Sequence, residues 1–273
     1  MKTINIKNIV LLSSAVLLVG TSCKKGCTDP NALNYDDSAK KMDNSCEYEE
    51  ESEESDINLK FYHELDGQSF AFNQNFTDDF GNMCTFTRAE MYISNPVYWD
   101  DQGGEIASPA EYILISPDET TYPLGTLPQD THVHTMDLTI GVDSVANAGD
   151  PAGYSADHAL AYQTPSMHWN WNSGYIFMAI EGHVDTSGNG LYEAGEDFIM
   201  HVGMNSMRRE VVGLMAHFNT VEGQTHNIEL DINWAELVAG INLKTDNSSH
   251  TMDNMSLAAA VANNAPNAIT IHP

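Results

Sequence analysis

Residues 175–203 read YIFMAIEGHVDTSGNGLYEAGEDFIMHVG. Two short apolar stretches, YIFMAIEG and DFIMHVG, flank a segment rich in Gly, Asp, Glu and Asn. Each stretch is shorter than an ordinary helix, and the residues between them are those that turn a chain back on itself. The whole reads as two strands joined by a polar loop. The same texture extends outward: INLKFYHEL (57–65), CTFTRAEMYISN (84–95), EYILIS (111–116), HTMDLTIGV (134–142), VVGLMAHFN (211–219) and HNIELDIN (226–233). Most are rich in Ile, Val, Phe, Tyr and Thr, several alternate with period two, and turn residues separate them. That pattern predicts an all-β fold, an antiparallel immunoglobulin-like β-sandwich. Two segments, Trp234 to Ala239 and Leu257 to Asn263, read as short helices near the C-terminus.

The loop inside the opening stretch has a spacing of its own. Counting from Asp185, side-chain oxygens fall at positions one, three, five, nine and twelve: Asp185, Ser187, Asn189, Glu193 and Glu196. Gly190 holds position six, where a sharp turn is needed, and Leu191 can offer its carbonyl at position seven. Calcium takes six to eight oxygens, and this is the spacing of an EF-hand-type calcium loop. The flanks here are strands, so the expectation is a calcium-binding hairpin connection, against an ordinary polar hairpin loop.

The N-terminus reads as an export segment. Lys2 and Lys7 precede an apolar run from Ile9 to Val19, followed by Gly20-Thr21-Ser22 and Cys23. The run is too short to span a bilayer. The arrangement resembles the lipobox of bacterial lipoproteins, although Val19 sits one place upstream of the usual apolar position. The resemblance implies a signal peptide over 1–22 and lipidation of Cys23, which would hold the protein on a membrane; plain cleavage is the other reading. Exported proteins live where disulfides persist, so Cys27 and Cys46 form a natural bridge. Closing that loop is worth roughly 3 kcal/mol. Cys84 is then a lone thiol. The segment GCTDPNALNYDDSAKKMDNSCEY (26–48) resembles a cysteine-bracketed module of exported Bacteroidetes proteins. Residues 47–56, EYEEESEESD, read as a solvated acidic linker. The main domain then runs over 57–273, and the stapled module over 23–46.

Net charge is −28, which argues against nucleic acid as a partner. It suits a soluble exported protein or a calcium binder. No nucleophile elbow, phosphate loop, HExxH or dinucleotide fingerprint occurs, so the chain reads as a binder and not an enzyme. It holds 11 His and 13 Met. The densest aromatic segment is MHWNWNSGYIF (167–177), where Trp169 and Trp171 share one strand face. Imidazole suits copper and thioether suits copper(I); the alternative is that the tryptophans are core residues. His132 and His134 likewise share a strand face.

Six pieces resemble the MbnP-like family, named for periplasmic copper-binding proteins associated with methanobactin. They are FYHELDG (61–67), RAEMYISN (88–95), LTIGVDSVANAGDPAG (138–153), MHWNWNSGYIF (167–177), AIEGHVDTSGNG (179–190) and MHVG (200–203). The resemblance implies an envelope β-sandwich, periplasmic or at the outer membrane, that binds copper. Carried over, it makes His63, His168 and His201 the copper ligands, with Met167 or Met200 as soft additions. It also implies that Trp169 or Trp171 can be oxidised to kynurenine by a partner dihaem cytochrome-type oxidase. His132 and His134 lie outside these pieces. The reading kept beside copper is a calcium-stapled structural or adhesion-type β-sandwich lipoprotein.

Overall fold

The structure, a computed structural model, describes residues 24–48, 54–106, 112–170 and 173–273. The signal peptide, Cys23, residues 49–53 of the acidic run and Trp171 lie outside the described residues. The chain divides into two compact units, Met1–Glu51 and Ser52–Pro273.

The small unit is stapled by Cys27–Cys46, with Cα atoms 4.8 Å apart. Three of its Asp residues cap turns by accepting from backbone amides two residues on: Asp29 from Asn31, Asp36 from Ser38 and Asp43 from Ser45. This is the local chemistry that favours Asp in turns.

In the large unit the main strands are β1 (Glu54–Leu65), β2 (Met83–Trp99), β3 (Tyr112–Ile115), β4 (Thr121–Pro128), β5 (His132–Ile140), β6 (His168–Asn170), β7 (Gly174–Val184), β8 (Asp197–Gly203), β9 (Arg209–Asn219), β10 (Thr225–Asn233) and β11 (Ile269–Ile271). Helix α1 (Met255–Ala268) precedes β11, and Trp234–Val238 forms a 3-10 turn. Both predicted helical segments are thus helical, and α1 is longer than its apolar pattern suggests. Asn254 caps it by accepting from Leu257 N at 3.2 Å.

The larger sheet runs β9-β5-β2-β7-β8, with Ser248–Ser249 beyond β8 and β3 and β6 paired to β2 and β7. The second runs β11-β10-β1, with β4 also on β1. Burial alternates along β1, so that Ile57, Leu59 and Phe61 point inward. They join Phe86, Met91, Phe177, Phe198 and Trp234 in one core. This is the predicted sandwich, with two differences. Strands β1 and β10 pair in parallel, Asp56 opposite Thr225 through Glu64 opposite Asn233; they lie far apart in sequence, so no hairpin dictates an antiparallel sense. And β1 begins inside the expected acidic linker. Glu54, Ser55 and Asp56 pair with Pro128, Leu127 and Thr126, and the Ser55 hydroxyl donates to Val221 O at 2.6 Å. Ladder bonds to a neighbouring strand outweigh local charge repulsion there.

The hairpin β7–β8 forms where the opening stretch predicts it. It lies against β2, and the approach is close at Gly182: a Cβ there would come within 1.9 Å of Thr85 O and 2.5 Å of the Phe198 ring. No described helix is long and apolar enough to cross a membrane.

Candidate metal centre

Along β7 and β8 the residues Ile180, Met200 and Val202 face the core, so Glu181 and His201 stand on the outer face of the sheet. There His201 Nε2 donates to Glu181 Oε1 at 2.9 Å. Arg88, from β2, donates to the same oxygen at 2.9 Å and to Glu90 Oε2 at 2.7 Å. The His201 bond, opposed by burial and aided by Arg88, holds the Glu181 carboxyl down at about 2. Arg88 also reaches the 165–167 segment, donating to Ser166 O at 3.2 Å and to the Met167 sulfur at 3.2 Å. One guanidinium thus pins the Met167-His168-Trp169 segment over the face that carries His201.

Trp169 fits because Gly203 has no side chain. A Cβ at Gly203 would lie 2.6 Å from the Trp169 ring and 2.5 Å from Tyr175 O. Gly203 is two residues from His201, so the indole covers sheet beside the histidine. His168 packs edge-on against Tyr175, ring centroids 4.8 Å apart. Its Nε2 is buried and makes no hydrogen bond. Burial pushes the His168 pKa below its ordinary value, against the pull of Asp150. A third histidine, not anticipated from sequence, completes the neighbourhood. Thr251 Oγ1 donates to His201 O and accepts from Gly203 N, both at 2.9 Å. That docking brings the His250 ring to 5.1 Å from the His201 ring, edge to face. Met200, in contrast, is wholly buried in the core, and Met167 is buried against Arg88.

His63 does not join this group. It belongs to β1 in the other sheet, and both of its nitrogens are engaged within the protein: Nε2 with Glu119 O at 2.9 Å and Nδ1 with Trp234 Nε1 at 3.1 Å.

The 185–196 loop joins β7 to β8. Asp185 Oδ1 accepts from Gly188 N at 2.6 Å, Asn189 N at 3.2 Å and the Ser187 hydroxyl at 3.2 Å; its Oδ2 accepts from Gly190 N at 2.7 Å. Glu196 Oε1 accepts from Thr186 N at 3.0 Å and Ser187 N at 3.2 Å, and its Oε2 from Glu193 N at 2.8 Å. Asn189 Nδ2 donates to Glu193 Oε1 at 3.1 Å, and Asn189 Oδ1 accepts from Leu191 N at 2.9 Å. Gly190 has φ +79°, as position six requires. Burial opposes ionisation of Asp185, but the amides of Gly190 and Gly188 outweigh it and its pKa is lowered. Glu196 is lowered too, chiefly by the Thr186 hydroxyl.

Elsewhere in the larger sheet, His132 and His134 meet His217 from β9. One ligand nitrogen from each lies within 4.8 Å of the others. The shared face of His132 and His134 is legible from their spacing; the arrival of His217 is not, since it depends on strand pairing.

A family model described as MbnP matches residues 54–255. Among solved structures, MbnP from Methylosinus trichosporium is similar at 15% identity, over 67% of this chain and 77% of that one, with a TM-score of 0.48. No curated protein matches.

Proposed function

The chain belongs to the MbnP family, and on that premise we propose that it is an exported copper-binding protein of the cell envelope, tethered through a lipid on Cys23 and serving copper scavenging, storage or delivery. Family membership supplies the link to copper. The observation that carries the reading to particular residues is the buried, unpartnered Nε2 of His168. A buried polar atom without a hydrogen bond is costly, and burial keeps this imidazole neutral, the form a metal requires.

His168 and His201 are the proposed ligands, with His250 and Met167 as the nearest further donors. Glu181 fits the role of the carboxylate that orients a metal-bound imidazole through its other nitrogen. With Nε2 of His201 donating to Glu181, its Nδ1 keeps a lone pair. Copper bound there would supply an exchangeable ion that accepts imidazole in either oxidation state. Trp169, packed beside His201 over Gly203, and Trp171 are the proposed targets of a partner dihaem oxidase. The product, kynurenine, would form by a four-electron oxidation carried by that partner oxidase: the indole C2–C3 bond breaks, C3 becomes a ketone, C2 leaves as formate, and the freed aromatic amine is a further donor.

The test is metal content of the full chain purified without chelator after growth with copper. It is best done in a His132→Ala/His217→Ala background, so that only the motif site is read. The expected result is one copper per chain, with weaker binding in His168→Ala and in His201→Ala. Unchanged copper affinity in both overturns the reading.

A structural calcium ion in the 185–196 loop is part of the same proposal. It is supported by the oxygen spacing and by the mutual bonding of Asp185 with Ser187 and of Asn189 with Glu193. Calcium without copper, even after anaerobic copper(I) loading, would leave a calcium-stapled structural β-sandwich.

A further inference from the structure

We infer that His132, His134, His217 and Asp101 form a second metal site, separate from the family-motif residues, which takes one divalent transition ion of the zinc or copper(II) type. Three elements build it. Strand β5 carries His132 and His134 two apart, on one face. Edge strand β9 brings His217 through a β-bulge: Val133 pairs with Phe218 and Thr135 with Met215, so both Ala216 and His217 stand opposite His134. His217 takes φ +42° there, an uncommon backbone state outside glycine. The third element is the turn after β2. Asp100 fixes it, accepting from Gln102 N at 2.8 Å and Gly104 N at 2.6 Å, and Asp101 is left beside the histidines.

The donor atoms converge. His132 Nε2 lies 3.2 Å from Asp101 Oδ2. His134 Nδ1 lies 3.1 Å from Asp101 Oδ1 and 3.4 Å from His217 Nδ1. His132 Nδ1 is 2.8 Å from Asn219 Oδ1; since an amide oxygen only accepts, the ring proton sits on Nδ1 and Nε2 presents a lone pair. That Nε2 is buried and makes no hydrogen bond. A lone pair aimed at a carboxylate is repulsive until a cation stands between them. An outer oxygen fixing the proton on one imidazole nitrogen while the other faces the ion is the usual arrangement of a metal-bound histidine.

Three imidazoles and one carboxylate match the donor count of a four-coordinate zinc ion, and they suit copper(II) equally. No sulfur takes part, which sets the site apart from one that selects copper(I). In the larger sheet, β5 and β9 lie on one side of β2 while β7 and β8, with the motif histidine His201, lie on the other. The two sites therefore share no ligand.

The experiment titrates zinc(II) into the metal-free full chain by calorimetry and follows copper(II) by the nitrogen hyperfine pattern of its spin resonance. The wild type is expected to bind one zinc at this site, with imidazole nitrogens seen by copper(II). His132→Ala/His217→Ala should lose it. Asp101→Asn should bind about 10- to 100-fold more weakly. His168→Ala/His201→Ala should keep it, which separates failure here from failure of the copper reading above. Zinc affinity unchanged in His132→Ala/His217→Ala overturns the site, as does loss of zinc in the motif variant alone. Circular dichroism checks that each variant folds. If the double variant does not fold, zinc-induced shifts of the His132, His134 and His217 ring resonances in the wild type decide, and their absence overturns the proposal.

Discussion

The imidazole of His63 and the indole of Trp234 lie nearly parallel, 12° between planes, and the Trp234 Nε1 donates to His63 Nδ1 at 3.1 Å. Nε2 of the same ring meets Glu119 O at 2.9 Å. A neutral imidazole protonated at Nε2 satisfies both partners at once; an imidazolium has no acceptor for the tryptophan. Burial pushes the His63 pKa below its ordinary value, outweighing Glu119 O and Asp118. The unfolded chain therefore binds this proton more readily than the folded one, and stability rises with pH. It should be fully present above about pH 6.5, the unfolded value, and decline as pH falls through the folded pKa. Denaturant unfolding at pH 7.5 and 5.5 measures this, and His63→Gln should flatten the difference. An equally steep fall in the variant would assign the effect to other groups. His63→Ala, by leaving the wholly buried indole N–H unpaired, should cost about 1–3 kcal/mol at neutral pH.

Gly203→Ala puts a methyl where the Trp169 ring now lies. The indole must move, and β8 must also ease away from the backbone oxygen of Tyr175, 2.5 Å from that Cβ. The expected outcome is a shift in Trp fluorescence with weakened copper retention. Gly182→Ala is the harsher variant: its Cβ meets Thr85 O at 1.9 Å and the wholly buried Phe198 ring at 2.5 Å, so it should destabilise the fold more. Melting temperatures of the two would separate them, the second falling further.

Arg88 stands between Glu90 and Glu181 and is largely buried, its side chain 11% exposed. Removing it leaves two carboxylates without their cation and frees the 165–167 segment. Arg88→Met should cost up to about 3 kcal/mol, the low end for a buried pair because both glutamates keep some water. It should also raise the Glu181 pKa from about 2. Carbon-13 titration of the glutamate carboxyls reads the second effect; an unmoved Glu181 would show that His201 alone sets it.

Calcium in the hairpin loop predicts a melting temperature that drops with chelator and recovers with added calcium, since an ion bound only to the folded state stabilises by mass action. Asp185→Asn and Glu196→Gln should abolish that response. Those variants should also lose some metal-independent stability, because both carboxylates hold loop amides. A chelator response that persists in both would move the ion elsewhere.

Cys84, the one free cysteine among the described residues, is buried among apolar side chains, and burial, with Asp78 adding to it, pushes its thiol up to about 12. Thiolate is the reactive form. The native protein should therefore resist alkylation at neutral pH and react only on unfolding, which mass spectrometry after a timed iodoacetamide pulse would show.

Much of this molecule is local, and local features are legible in sequence. Alternating burial in β1, the β7–β8 hairpin, the Asx turns of the stapled unit and the Cys27–Cys46 bridge each follow from residue types and near spacing. The motif pieces also led to His168 and His201; the fold sets Trp169, the chain neighbour of His168, over Gly203, two residues from His201. His63 reads the same way in sequence, yet its strand went to the other sheet. His217 and His250 were hidden for a related reason: one reaches its partners through a bulge in an edge strand, the other through a segment docked by Thr251. Composition and periodicity determine that a stretch is a strand and which residues share its face. They do not determine which strand lies beside it, because pairing is chosen by the whole core at once and a slip of one residue turns every side chain to the opposite face. The sequence by itself determined the strands, the staple and the loop oxygens, whereas only the tertiary structure decided which histidines meet.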